Sequence, residues 1–339
     1  MTSPSMPRCE TDKSIERKVF GSFNMPLGVY PIGEVSPAEG FTSSFEKADG
    51  GAETDDAEGD WAEWPDRYVY EVTLSAERIP AFLRQALLML PGRAYGIFDY
   101  LGQDAYREVD SYLGTSLVGL DRILDGLFEF APFLLEDGFC GFGAMSEEPY
   151  FYVFLDEHKM VTIRTPEENR SRVESLISAF GLTNSDSFET WWDAAQHEHR
   201  TVLYAPANDT NYYIESEILE ELRDHWSLEL NIDPDANVDD DGNALGFTCW
   251  RCIVREEYER TSYIEVFLLS DSLSGAQLLA IDGSAGLRGE SKSDEPSYTV
   301  ISADRLTAED FATAVGKPKF VKRYLKPKSS GIISVRRLE

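Results

Sequence analysis

Apolar residues recur with two different periods along this chain, and the change of period marks its elements. Residues 67–75, "RYVYEVTLS", alternate apolar and polar positions and predict a strand. In the following "SAERIPAFLRQALLMLPG", Ile79, Phe82, Leu83, Ala86, Leu87 and Leu90 fall at helical spacing and Pro91-Gly92 ends the run. A second helix is marked by Leu117, Leu120, Ile123, Leu124, Leu127 and Phe128. Strands follow at "FCGFGAM", "YFYVFLD" and "KMVTIRT", the last two predicted to form a hairpin whose polar tip is "DEHK", Asp156 to Lys159. The next helix carries the strongest boundary signals: Thr165 as cap, Pro166 at the first helical position, Glu168 completing a capping box, and Gly181 supplying a left-handed stop.

Beyond a "TNSDS" linker at 183–187, the pattern predicts helices around "FETWWDAAQHEHR" and "YIESEILEELRDHW". Strands follow at "SLELNI", "GFTCWRCIVREEY" and "SYIEVFLLS", then a helix "SLSGAQLLAI", a strand "SYTVISA" and a helix "TAEDFATAVG". Strands and helices are grouped and do not strictly alternate, which is the signature of an α+β class. The expected organisation is an N-terminal segment 1–66 with an acidic flexible tether, an α+β module over 67–183, a second α+β module over 184–316, and a basic tail 317–339. The tether, 34–66, is rich in Gly, Ser, Ala and acids and too poor in aliphatics to offset chain entropy. Trp61 and Trp64 sit inside it, either docking on the first strand or anchoring a partner.

Composition changes this picture in two ways. The formal charge of -30 repels phosphate backbones and anionic membrane surfaces, so direct nucleic-acid binding by the main body is not expected. That charge is unevenly spread: residues 317–339 carry eight basic side chains against one acid, and such a tail is expected to fold back on the body or stay solvated. No stretch reaches the roughly 18 apolar residues of a membrane span, and the first twenty residues lack the apolar run of a secretory signal, so a cytoplasmic location is expected. Four scattered cysteines are too few to staple a chain of 339 residues.

Candidate chemistry is sparse. "NVDDDGNALGF" from 237 resembles a calcium loop in placing Asn237, Asp239 and Asp241 at positions 1, 3 and 5 ahead of Gly242, but Thr248 stands where a bidentate carboxylate belongs. A hairpin turn joining "SLELNI" to "GFTCWRCIVREEY" is the favoured alternative. Cys249 and Cys252 have the spacing of zinc and redox motifs, yet in a strand they face opposite sides. His197 and His199 form the only dense imidazole pair, and a helix over 188–200 would point them apart. Together those four residues define a zinc alternative. With no catalytic constellation legible, the reading favoured is a non-catalytic macromolecule-binding protein with a protein partner, basic in character. The alternatives are a zinc-stabilised or metal-dependent enzyme and an acidic inhibitor or immunity-type protein.

Overall fold

The computed structural model describes residues 7–48, 65–184, 197–206, 209, 211–258, 261–287 and 296–338. It contains both helices and antiparallel sheets, an α+β class. The chain divides into two compact units, one formed by 1–100 with 111–230 and the other by 101–110 with 231–339. Among the described residues no helix is long and apolar enough to cross a membrane.

The first unit is built on a sheet whose strands run, side by side, Leu228–Leu230, Asp110–Gly114, Arg93–Tyr100, Cys140–Glu147, Tyr150–Leu155, Val161–Thr165, Arg67–Thr73 and Gly40–Glu46. Alternate side chains of these strands (Tyr70, Val72, Phe98, Phe142, Phe151, Val153, Ile163) enter one core with the apolar stripes of helices Ile79–Leu87, Leu120–Glu129, Glu167–Ala179 and Glu215–Trp226. The strand period of two and the helix period of 3.6 meet in this layer. Trp226 is fully buried there, and its ring passes Gly126, where an added Cβ would lie 2.8 Å from its Nε1. Gly143 has the same role between strands: a Cβ there would stand 2.1 Å from the Val153 carbonyl oxygen.

Several sequence expectations change here. Residues 40–46 of the expected tether are an edge strand paired along its length with Arg67–Thr73, because Phe41, Thr42 and Phe45 supply enough β-forming side chains to extend the sheet. Trp61 and Trp64 lie outside the described residues. The capping box at 165–168 does not form: Thr165 is the last residue of its strand, its hydroxyl donates to the Pro166 carbonyl, and Pro166 is the cap. Gly181 does take the left-handed conformation, at φ 67°. "SLELNI" pairs with Asp110–Gly114 and so does not join the strand at 248 in a hairpin.

The second unit is a four-stranded antiparallel sheet ordered Ser297–Leu306, Thr248–Glu257, Thr261–Ser270, Gly331–Leu338. Helix Leu273–Gly286 covers one face, over Trp250, Cys252, Val254, Ile264, Val266 and Leu268. Helix Ala308–Ala314 and Tyr324 cover the other, over Cys249 and Phe267. Burial on both faces explains why "CWRCIV" and "IEVFLLS" read as nearly continuous apolar runs. The basic tail folds back as the edge strand, with Arg336 on Glu265 and Arg337 on Glu256.

Arg337 donates to Glu256 and, with the Ser262 and Tyr298 hydroxyls and against the cost of burial, holds its carboxyl below the ordinary range. A folded pKa below the unfolded one stabilises above the unfolded value and is lost as pH falls through the folded value. Glu256→Gln should therefore flatten the acid limb of a melting-temperature profile below about pH 4.5. A variant whose acid limb is as steep as that of the unaltered chain would refute this assignment.

Candidate metal centre

The strand Val29–Pro31 pairs antiparallel with His197–His199, register His197 to Pro31 and His199 to Val29. The neighbouring backbone fixes its place. Gly28 accepts from the Arg200 amide at 2.8 Å and donates to the Glu136 carbonyl at 2.7 Å, while Gly138 donates to the Arg200 carbonyl at 3.2 Å. These strands pass so closely that a Cβ on Gly28 would lie 2.1 Å from the Gly138 nitrogen, and one on Gly138 would lie 2.2 Å from the Gly28 oxygen. Only glycine fits at either position. Arg17 locks the approach with a two-pronged pair to Glu136, at 2.7 and 3.0 Å.

A strand at 197–199 replaces the helix expected over 188–200, within the described part of that range, and the change of period is decisive. Residues two apart on a strand share a face, so His197 and His199 point the same way while Glu198 turns to the other side, accepting from the Tyr30 hydroxyl at 2.6 Å. Their shared face meets the tip of the hairpin formed by Tyr150–Leu155 and Val161–Thr165, which presents His158. The ring centroids of the three imidazoles lie 4.7, 5.0 and 5.2 Å apart, a nearly equilateral triangle. One ligating atom from each lies within 4.8 Å of the others.

Second contacts set the tautomers. His199 Nδ1 lies 2.6 Å from the Gly138 carbonyl, which can only accept, so Nδ1 carries the proton and Nε2 keeps its lone pair. His158 Nδ1 lies 3.3 Å from a Glu157 carboxylate oxygen, which likewise leaves Nε2 as the donor atom. His158 Nε2 faces His197 Nε2 at 2.9 Å. Two imidazole nitrogens that close need a proton or a cation between their lone pairs. Donors bound at about 2.0–2.1 Å to one ion stand roughly 3.3 Å apart in a tetrahedral arrangement and roughly 2.9 Å apart at right angles, so this spacing suits a shared ion.

Electrostatics follow from the same contacts. Burial disfavours the His158 imidazolium, but the Glu157 hydrogen bond and the Asp156 and Glu157 charges outweigh it and raise the pKa. The hydrogen bond from His158 carries Glu157 down to about 2 despite burial. His199 is shifted down, by burial first and then by the neighbouring His158 and His197, with the Gly138 carbonyl opposing. Burial pushes Asp156 up to about 6, against the His158 charge and the Met160 amide.

The hairpin tip is thus more than a solvated turn. Lys159 is buried, in a left-handed conformation at φ 65°, and its ammonium donates to the Cys140 carbonyl at 2.5 Å. Turning this lysine inward fixes the loop that carries His158.

The remaining sequence candidates sit elsewhere. Cys249 and Cys252 belong to the second unit, on opposite faces of one strand, and burial raises the Cys249 thiol to about 12. They do not form a joint donor pair, because strand neighbours three apart diverge. Asn237, Asp239 and Asp241 lie in a local turn closed by the Val238–Ala244 bridge, with Gly242 at φ 79°. Asp239 accepts from the amides of Asp241 at 3.1 Å and Asn243 at 2.8 Å. Asn237 turns its side-chain oxygen to the Arg305 guanidinium at 3.0 Å. The oxygen that would open a calcium loop therefore faces a fixed cation.

His158 is the site residue that pattern reading missed. Its signal was the count itself: the chain has four histidines, and three of them converge.

No protein-family model matches the chain, and neither the curated proteins nor the solved structures compared with it give a match.

Proposed function

We propose that this protein binds a divalent transition metal through His158, His197 and His199. The observation that carries the reading is the 2.9 Å approach of the His158 and His197 Nε2 atoms beside a third imidazole, with the far nitrogens of His158 and His199 already held by a carboxylate and a carbonyl. An all-imidazole donor set suits zinc, copper, nickel, cobalt or iron and is a poor match to magnesium or calcium, which prefer oxygen. The reading keeps the two histidines of the zinc alternative and replaces its two cysteines with His158.

The test is calorimetric titration of the chelator-stripped chain with zinc, with metal content measured after dialysis. One ion per chain is expected, with binding that a chelator reverses. Heat no larger than that of buffer, and no retained metal, would reject the proposal.

A further inference from the structure

Resting on that reading, we infer that the bound metal keeps one coordination position for an exchangeable small donor, so that the centre resembles an open, reactive site and not a closed structural one. The three imidazoles form a triangular face, and an ion seated on it, whether its donors stand at tetrahedral or right angles, has at least one further coordination direction pointing away from all three rings. What would close that position is a further protein donor, and among the described residues no acid or cysteine groups with all three histidines, Asp156 and Glu157 grouping with His158 alone.

Glu157 is turned to His158 Nδ1 at 3.3 Å, where it orients the ring and does not ligate through it. Asp156 caps the Met160 amide at 2.8 Å. Glu198 leaves on the opposite side of its strand to take the Tyr30 hydroxyl. Within the same unit, the Cys140 thiol is fully buried among Phe133, Asp137 and Lys159 contacts, and none of the metal groupings among the described residues draws on a cysteine. The three histidines are half-buried, not enclosed in the core. Three protein nitrogens with no fourth protein donor is the arrangement in which a metal holds water and exchanges it for a small anion.

The experiment uses the full chain loaded with cobalt(II), whose visible absorption reports coordination. Sodium azide is titrated in, while equilibrium dialysis follows cobalt retention. A saturable shift of the visible bands with cobalt still bound at one per chain is expected. Cobalt that binds stoichiometrically but whose spectrum ignores azide up to about 100 mM, a concentration far above common weak-ligand constants, overturns the open position and leaves metal binding standing. Azide that strips the metal into the dialysate also overturns it. Failure of cobalt and zinc to bind at all overturns both this inference and the reading beneath it. His225→Ala serves as the control and should respond to azide like the unaltered chain, because His225 stands on helix Glu215–Trp226 and not among the three converging rings.

Discussion

Replacing His158 with alanine is expected to weaken zinc binding by roughly two orders of magnitude while leaving the fold in place. Structural zinc sites contribute on the order of 10–16 kcal/mol from four donors, so one donor is worth about 3 kcal/mol, or about a hundredfold in Kd. His158 sits at a hairpin tip where its ring makes no part of the large buried core, so the expected loss is in affinity and not in melting temperature of the metal-free chain. His197→Ala and His199→Ala should behave alike, with His199 also giving up the Gly138 contact that anchors its strand. Glu157→Gln gives a graded result. It keeps the shape but weakens the acceptor behind His158 Nδ1, and loss of such an outer partner typically costs ten- to a hundredfold, that is about 1.4–2.7 kcal/mol. Calorimetry on the four variants and on His225→Ala separates these outcomes. An unchanged Kd for His158→Ala would remove the hairpin from the site.

The second large effect concerns stability. Asp104 and Arg305 are a buried ion pair, 0% and 3% exposed at the side chain, joined at 2.9 and 3.0 Å through the guanidinium Nε, with the Arg305 amide donating to the same carboxylate. The other end of the guanidinium is spent on Asn237 and the Val238 carbonyl. Asp104→Ala leaves the buried Arg305 guanidinium without the carboxylate it faces, at a cost of about 3–5 kcal/mol. Replacing both partners by apolar groups removes the orphan along with the pair, so Asp104→Leu with Arg305→Met should recover much of that loss. Denaturant unfolding of the single and double variants measures the difference. Equal destabilisation by both would mean that the hydrogen bonds to Asn237 and Val238, and not the charge balance, hold the region together.

Much of the architecture was legible in the chain because local period decides it. The helix at 79–87 and the alternating strand at 67–73 declare themselves in a few residues, and so does the strand pair ending in "CWRC" and "FLLS". The boundaries were less so. Thr165 reads as a cap by spacing, but strand pairing with Tyr68 claims its backbone first. Residues 40–46 look like linker until an edge of the sheet offers them partners.

The centre was half visible. "HEH" is conspicuous, yet its meaning turns on whether the backbone is helix or strand, and a three-residue strand owes its conformation to Val29–Pro31, far away in sequence. "DEHK" has the composition of any wet turn. What distinguishes it is Lys159 turned inward, a tertiary fact with no local trace. Pairing "HEH" with "CWRC" rested on donor type alone, and spacing carries no information on which strands become neighbours: the two cysteines belong to the second unit.

The insertion of 101–110 into the second unit has a practical consequence. Arg305 draws both its carboxylate partner and, through the Ala105 amide, a backbone bond from a ten-residue excursion that interrupts the first unit's sequence. A gene fragment starting at 231 therefore encodes an arginine whose counter-ion was left on the discarded half. Excising either unit by a single cut is the wrong strategy for expression; a permuted or co-expressed design that keeps Leu101–Asp110 with 231–339 is the right one.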